Sequence, residues 1–144
     1  MIEQVFDLNM AADDIANIEK HCFSTPWNKN QILSSNSNTI FFVAKCEQKI
    51  VGYCGMYTVL DEGYVTNIGV LPDYRRRGIG CELLNALIKY CKDVNISFLS
   101  LEVRQSNAAA IKLYKKFEFK TVGTRKNFYR DPTEDANIMT RFFK

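Results

Sequence analysis

Long apolar runs are missing from this chain: no stretch of its 144 residues approaches the roughly 18–20 needed to cross a bilayer, so a membrane protein is not expected. The first residues, MIEQVFDLNMAADD, are acidic and hold no hydrophobic signal segment. Histidine occurs once, as His21, and the five cysteines include no C-x-x-C pair. That usage supplies no metal-ligand set and no disulfide framework, and it fits reduced thiols in the cytoplasm. Repeats, linkers and low-complexity tracts are also absent, which leaves one globular domain over residues 1–144. A formal net charge of +3 is too small to argue for nucleic acid by itself, although it suits an anionic ligand.

What is present centres on residues 70–84, VLPDYRRRGIGCELL. An apolar run over 64–70 enters a proline-containing turn, three arginines follow, and an amphipathic segment starts at Gly78 and Gly80. A strand, a tight loop and an open first helical turn are the physical reading. The first N–H groups of a helix lack partners and carry the positive end of the macrodipole. Glycines admit close backbone approach and arginines add forked donors, so a pyrophosphate fits here. A turn with a solvated basic run is the alternative. A P-loop is excluded because Cys81 and Glu82, not Lys-Ser/Thr, follow Gly80. A dinucleotide loop is weakened by Leu83 at its third glycine position, although Glu102 lies near the end of the next strand.

Along the chain, residues 2–8 read as a strand and 11–23 as a helix with Ile15, Ile18 and Cys22 on one face. Ser24-Thr25-Pro26-Trp27 breaks that helix, and Asn28 with Gln31 forms a capping box for a short second one. Residues 34–38 are a polar loop. Residues 39–46, 50–59 and 64–70 are β-rich and separated by short turns, an antiparallel meander. A helix from the glycine loop to about Lys92 then returns the chain to a strand at 98–103, parallel to 64–70 by a right-handed crossover. Ser106-Asn107 caps a helix over 108–117, and 119–129 with 136–142 form a closing antiparallel pair. The fold class is α/β: a mixed central sheet, an antiparallel N-terminal meander joined to one parallel step, flanked by helices.

Ligands of open α/β sheets bind at strand C-termini, which brings Glu102 and Tyr114 beside the glycine loop. A carboxylate base and a phenol acid flanking a cofactor suit acyl transfer to an amine. Each has a plainer reading, Glu102 as an ion-pair partner of Arg104 and Tyr114 as a core aromatic.

The run V-x-P-x-x-R-x-x-G-x-G and the order of elements resemble the GNAT superfamily of N-acetyltransferases. FSTPWNKNQI, TNIGVLPDYRRRGIG, LEVRQSNAAAIKLY and RKNFYRDPTEDANIM are similar to its ribosomal-protein-alanine N-acetyltransferases, the RimI type. The resemblance implies acetyl-CoA as co-substrate, direct transfer without an acyl-enzyme, and no metal. It implies backbone contacts to the pantetheine arm and acetyl carbonyl from Ile68, Gly69 and Val70, with the Val70 N–H as oxyanion donor. Arg75, Arg76, Arg77, Gly78, Ile79, Gly80 and Cys81 would hold the pyrophosphate, and Asn107 would contact the cofactor near its reactive end. Glu102 would be the general base and Tyr114 the general acid toward the CoA thiolate. The acceptor would be a protein N-terminal amine, the alanine of a small-subunit ribosomal protein, walled by Trp27 and Tyr129. Either aromatic has a plain packing role as its alternative. One departure stands out: Glu118 occupies the position after the last helix where the family has glycine. Two other functions are open, a lysine or small-amine acetyltransferase, and a ribosome or RNA-binding module built on the basic residues. The basic residues are not interleaved with exposed aromatics, so direct nucleic-acid binding is not expected.

Overall fold

The computed structural model describes residues 1–35 and 37–144. The loop expected over 34–38 includes Asn36, which lies outside the described residues. The first strand, β1 (Ile2–Gln4), is shorter than the sequence suggests. Asp7 cuts it off: its carboxylate accepts from the Asn9 N–H at 3.1 Å and starts helix α1 (Leu8–Cys22) at Leu8. The capping box holds as expected. The Asn28 and Gln31 side chains each accept the other's backbone N–H at 2.9 Å, and α2 (Lys29–Leu33) follows.

β2 (Thr39–Cys46), β3 (Lys49–Val59) and β4 (Glu62–Val70) form the meander. Glu47 and Gln48 both take left-handed conformations, φ 51° and 68°, which a two-residue hairpin turn requires. Helix α3 (Ile79–Asp93) then crosses to β5 (Phe98–Arg104), which pairs parallel to β4. Helix α4 (Ala108–Lys116) leads to β6 (Lys120–Tyr129) and β7 (Glu134–Phe142). β7 inserts between β5 and β6, giving one seven-stranded sheet in the order β1-β2-β3-β4-β5-β7-β6.

Successive strand residues face opposite sides, and Tyr53 and Cys54 of β3 show what covers each. The Tyr53 hydroxyl reaches Glu19 on α1, and the Cys54 thiol reaches the Leu83 carbonyl on α3. Helices α1 and α3 therefore sandwich the meander. Ala12, Ile15 and Ile18 close one half of the core, and Leu83, Leu84, Leu87 and Cys91 close the other. Among the described residues no helix is long and apolar enough to cross a membrane.

The end of α4 answers the question raised by Glu118. Glu118 is left-handed, φ 68°, where its Cβ is unfavourable. Its N–H donates to Lys115 O and the Phe119 N–H donates to Tyr114 O, both at 3.0 Å, a Schellman closure. Arg141 supports it from β7, donating to Phe117 O at 3.1 Å and pairing with the Glu118 carboxylate at 3.4 Å. The Tyr114 and Phe119 rings pack 5.8 Å apart across the same cap. The cap thus fixes the helical turn that carries Tyr114. Glu118→Gly should be more stable than Glu118→Ala by about 1 kcal/mol, since both lose the ion pair and only alanine keeps the strained Cβ. Chemical denaturation of the two variants tests this, and equal stabilities would contradict it.

Candidate active site

β4 and β5 stay paired only from Glu62–Tyr64 to Phe98–Ser100. Beyond Tyr64 the strands part, and a cleft of about 490 Å³ opens between residues 65–68 and 101–104. The cause lies on the other side of β4. Against β3, Gly55 opposes Asn67 and Met56 opposes Val65, so Thr66 is an inserted residue and β4 bends there. Gly55 makes room for it: a Cβ at that position would lie 2.6 Å from Thr66 Oγ1. Past the bulge the ladder is regular, and the Leu71 N–H donates to Val51 O at 2.8 Å. That bond sets the parity. Asn67 and Gly69 turn their backbone groups toward β3, whereas Ile68 and Val70 turn theirs toward the gap. Gly69 serves instead as a packing site, because a Cβ there would stand 3.1 Å from Ile18 on α1.

None of residues 75–81 lines the cleft; they lie beyond the end of β4, at the N-terminus of α3. Gly78 is the N-cap residue at φ 80°, and nothing lies within 4 Å of where its Cβ would be. A side chain would be strained there whatever the space. The N–H groups of Ile79, Gly80 and Cys81 begin the helix beyond it and have no partner within the helix. The three arginines are not equivalent. Arg75 is turned inward, its Nε donating to Val70 O at 2.9 Å and its guanidinium touching Cys22 Sγ at 3.5 Å. Arg77 donates to Asp73 O and stacks over the Tyr74 ring at 5.1 Å. Arg76, left-handed and exposed, makes no side-chain bond among the described residues.

Glu102, Tyr114, Asn107 and Tyr129 all line the cleft. The Glu102 carboxylate pairs with Arg125 of β6 at 3.1 Å through Oε1, not with Arg104. Tyr114 is partly buried, and its hydroxyl makes no hydrogen bond among the described residues. Burial pushes its phenol well above the ordinary value, helped by the neighbouring Tyr129. Asn107 caps α4, with Oδ1 accepting the Ala110 N–H at 3.1 Å. Tyr129 is pushed up to about 12, first by burial and then by the Glu102 charge, with Arg104 opposing. Among the described residues no group of three His, Cys, Asp or Glu side chains could hold a metal ion.

Trp27 stands elsewhere. It does not line the cleft but packs against the core, and its backbone N–H donates to Glu19 Oε1 at 2.9 Å. Glu19 is fully buried and accepts two more bonds, from Tyr53 Oη at 2.6 Å and Asn67 Nδ2 at 3.0 Å, both on Oε2. Burial raises its carboxyl above the usual range, and the three donated bonds pull against that. Through Glu19, the loop after α1 is tied to β3 and to the bulged part of β4.

A family model described as the acetyltransferase (GNAT) family matches residues 3–119. The chain belongs to the GNAT acetyltransferase family. It is 39% identical over 137 residues to a Bacillus subtilis protein bearing the provisional name ribosomal protein bS18-alanine N-acetyltransferase, with 91% of each chain covered. The Escherichia coli ribosomal protein bS18-alanine N-acetyltransferase is 38% identical over 125 residues, covering 85% of this chain and 84% of that one. The crystal structure of an Escherichia coli ribosomal-protein-S18-alanine N-acetyltransferase superposes with TM-score 0.91 at 33% identity, covering 100% of this chain and 95% of its own.

The sequence reading passed over Glu19 and Thr66, and gave Arg104 as an ion-pair partner of Glu102. Glu19 had a signal, since it falls on the apolar stripe of Ile15, Ile18 and Cys22 where a carboxylate is costly unless satisfied. All three groups that face it donate, so an amide cannot replace it without opposing one donor to another. Glu19→Gln should lower unfolding stability by about 1–3 kcal/mol, the cost of a buried unsatisfied donor. The urea midpoint measures it, and an unchanged midpoint would contradict the network.

Proposed function

We propose that this chain is an N-alpha-acetyltransferase, one domain over residues 1–144, that moves the acetyl group of acetyl-CoA to a protein N-terminal amine by direct transfer. The acceptor we infer is the N-terminal alanine of ribosomal protein bS18, the substrate named for the Bacillus and Escherichia relatives. The observation that carries the reading is the parting of β4 and β5. It leaves the Ile68 backbone groups and the Val70 N–H without a strand partner, beside a cleft lined by Ile68, Glu102 and Tyr114. Five cysteines without a disulfide suit the cytoplasm, where such an acceptor is made.

The fit to acetyl-CoA rests on two features. The open, left-handed Gly78 and the free N–H groups of Ile79, Gly80 and Cys81 suit a pyrophosphate, with Arg76 able to add charge. The Ile68 backbone groups and the Val70 N–H suit the pantetheine arm and the acetyl carbonyl, whose oxygen would accept from the Val70 N–H. Arg75 and Arg77, held by other contacts, shape the loop. In this reading Glu102 takes the amine proton through its free Oε2, directly or by one water, and Tyr114 delivers a proton to the departing thiolate. Tyr129 forms one wall of the acceptor path. Trp27 supports that path from behind through the Glu19 network.

The nature of the acceptor has an independent physical argument. Only a neutral amine attacks, and an α-amine has a pKa of about 7.7–8.0 against about 10.4 for lysine. At neutral pH the lysine therefore starts roughly 3.5 kcal/mol further from reaction. A single carboxylate can serve an α-amine. A peptide with a free alanine N-terminus and an internal lysine should gain one acetyl group, on the alanine nitrogen, by tandem mass spectrometry. Acetate on the lysine, or equal labelling of an N-terminally blocked peptide, would contradict the assignment.

Glu102→Gln and Tyr114→Phe should each lower kcat about 10²- to 10⁴-fold while acetyl-CoA affinity holds. The raised phenol of Tyr114 fixes the pH signature. A pKa above the ordinary 10 or so keeps the proton in place through alkaline conditions, so the acid form is not lost as pH rises. The kcat ratio of parent to Tyr114→Phe should stay constant from about pH 7 to about 10. A ratio that collapses toward the alkaline end would remove Tyr114 from the acid role.

A further inference from the structure

Arg104 lies at the end of β5, on the rim of the cleft, and its side chain is only 22% exposed. Its two terminal nitrogens make four bonds. One donates to Pro132 O at 2.9 Å and to Glu134 Oε1 at 3.2 Å. The other donates to Arg130 O at 2.7 Å and to Ser24 Oγ at 3.2 Å. The Ser24 hydroxyl itself donates to Arg130 O at 3.2 Å, so the two tethers close on each other. The guanidinium also covers the Tyr129 ring at 4.5 Å. A guanidinium has four N–H groups on its terminal nitrogens, and all four are used inside the chain. It therefore has nothing left on those nitrogens with which to hold a substrate.

These partners belong to two segments, the loop after α1, at Ser24, and the β6–β7 turn, at Tyr129 to Glu134, whose one direct bond is that from Ser24 Oγ to Arg130 O among the described residues. Both segments line the cleft. We propose that Arg104 is a positioning residue that fixes the acceptor path by locking these two walls together, without contact to the reacting atoms. The inference rests on the acetyltransferase reading above and deepens its acceptor side. Only a planar fork reaches four acceptors on both sides of the cleft. A lysine keeps the charge but offers three donors from one point. Glu134 also holds the start of α4: Oε2 accepts the Ser106 N–H at 2.6 Å, and Oε1, which meets Arg104, accepts the Ser106 hydroxyl at 2.9 Å, so the Oε2 bond persists when Arg104 is changed.

The test uses Arg104→Lys and Ser24→Ala, the second a change at an exposed residue that removes only the tether. In Arg104→Lys the acceptor KM should rise about tenfold to a hundredfold, in line with the cost of a misplaced substrate. Ser24→Ala should move it the same way by a smaller factor. Acetyl-CoA affinity by calorimetry and kcat at saturating peptide should stay near the parent values, the split that marks lost acceptor binding. Hydrogen exchange reads the lock without any substrate, so it separates this proposal from the choice of acceptor. Residues 23–27 and 129–134 should exchange faster in both variants, and α3 should not. An unchanged acceptor KM in both variants, acetyl-CoA affinity falling in step with the acceptor, or unchanged exchange of the two walls would overturn the proposal. Should Arg104→Lys not fold, Ser24→Ala decides by the same readings.

Discussion

β4 holds its ladder with β3 along its whole length and gives up the one with β5 after three residues, and the inserted Thr66 separates the two halves. A strand that bends at a bulge cannot follow both neighbours, so the parallel partner is released. The release needs Gly55, whose Cβ would collide with the Thr66 hydroxyl. Everything used for chemistry depends on that parting. It turns the backbone groups of Ile68 and Val70 toward a cleft instead of a strand, and it gives Glu102, still paired across β7, an open side. A sheet pairing continuously from β4 to β5 would satisfy the same hydrogen bonds and bind nothing.

Polar tethers keep the cleft from closing or drifting. Glu19 sits at the back, fully buried, and joins the Trp27 loop to Tyr53 and to Asn67 beside the bulge. Arg104 sits at the front and joins Ser24 to the β6–β7 turn. Arg141 steadies the cap of α4, and with it Tyr114. Each of these charged side chains is largely shielded from water and meets polar groups of the opposite hydrogen-bonding sense, the condition under which such burial is tolerable.

Local chemistry makes much of this legible in the sequence. The capping box at Asn28 and Gln31, the tight turns of the meander, the crossover through α3 and the glycine loop all follow from rules that act within a few residues, and all are present. The plainer reading of Glu102, an ion pair with Arg104, failed on its partner. Spacing brought Arg104 next to it, but Arg104 is drawn away by the β6–β7 turn, and Arg125 from a distant strand takes its place. The insertion of β7 beside β5, the bulge at Thr66 and the saturation of Arg104 depend on contacts between residues far apart in the chain, which no local pattern encodes. Glu118 lies between these cases. Its strain could be read from the missing glycine, whereas its support by Arg141 could not.

The central claim is that the acetyl thioester and an N-terminal amine meet in the β4–β5 gap. A structure of the protein bound to a bisubstrate conjugate, CoA joined through an acetyl bridge to the α-nitrogen of an alanine-terminated peptide, tests it most directly. The account predicts the bridging carbonyl oxygen within hydrogen-bond distance of the Val70 N–H. It also predicts the pyrophosphate on the N–H groups following Gly78, and the peptide leaving between Tyr129 and the Ser24 loop. A bridging carbonyl lying outside the gap, with the Ile68 backbone groups and the Val70 N–H left to solvent, would contradict it.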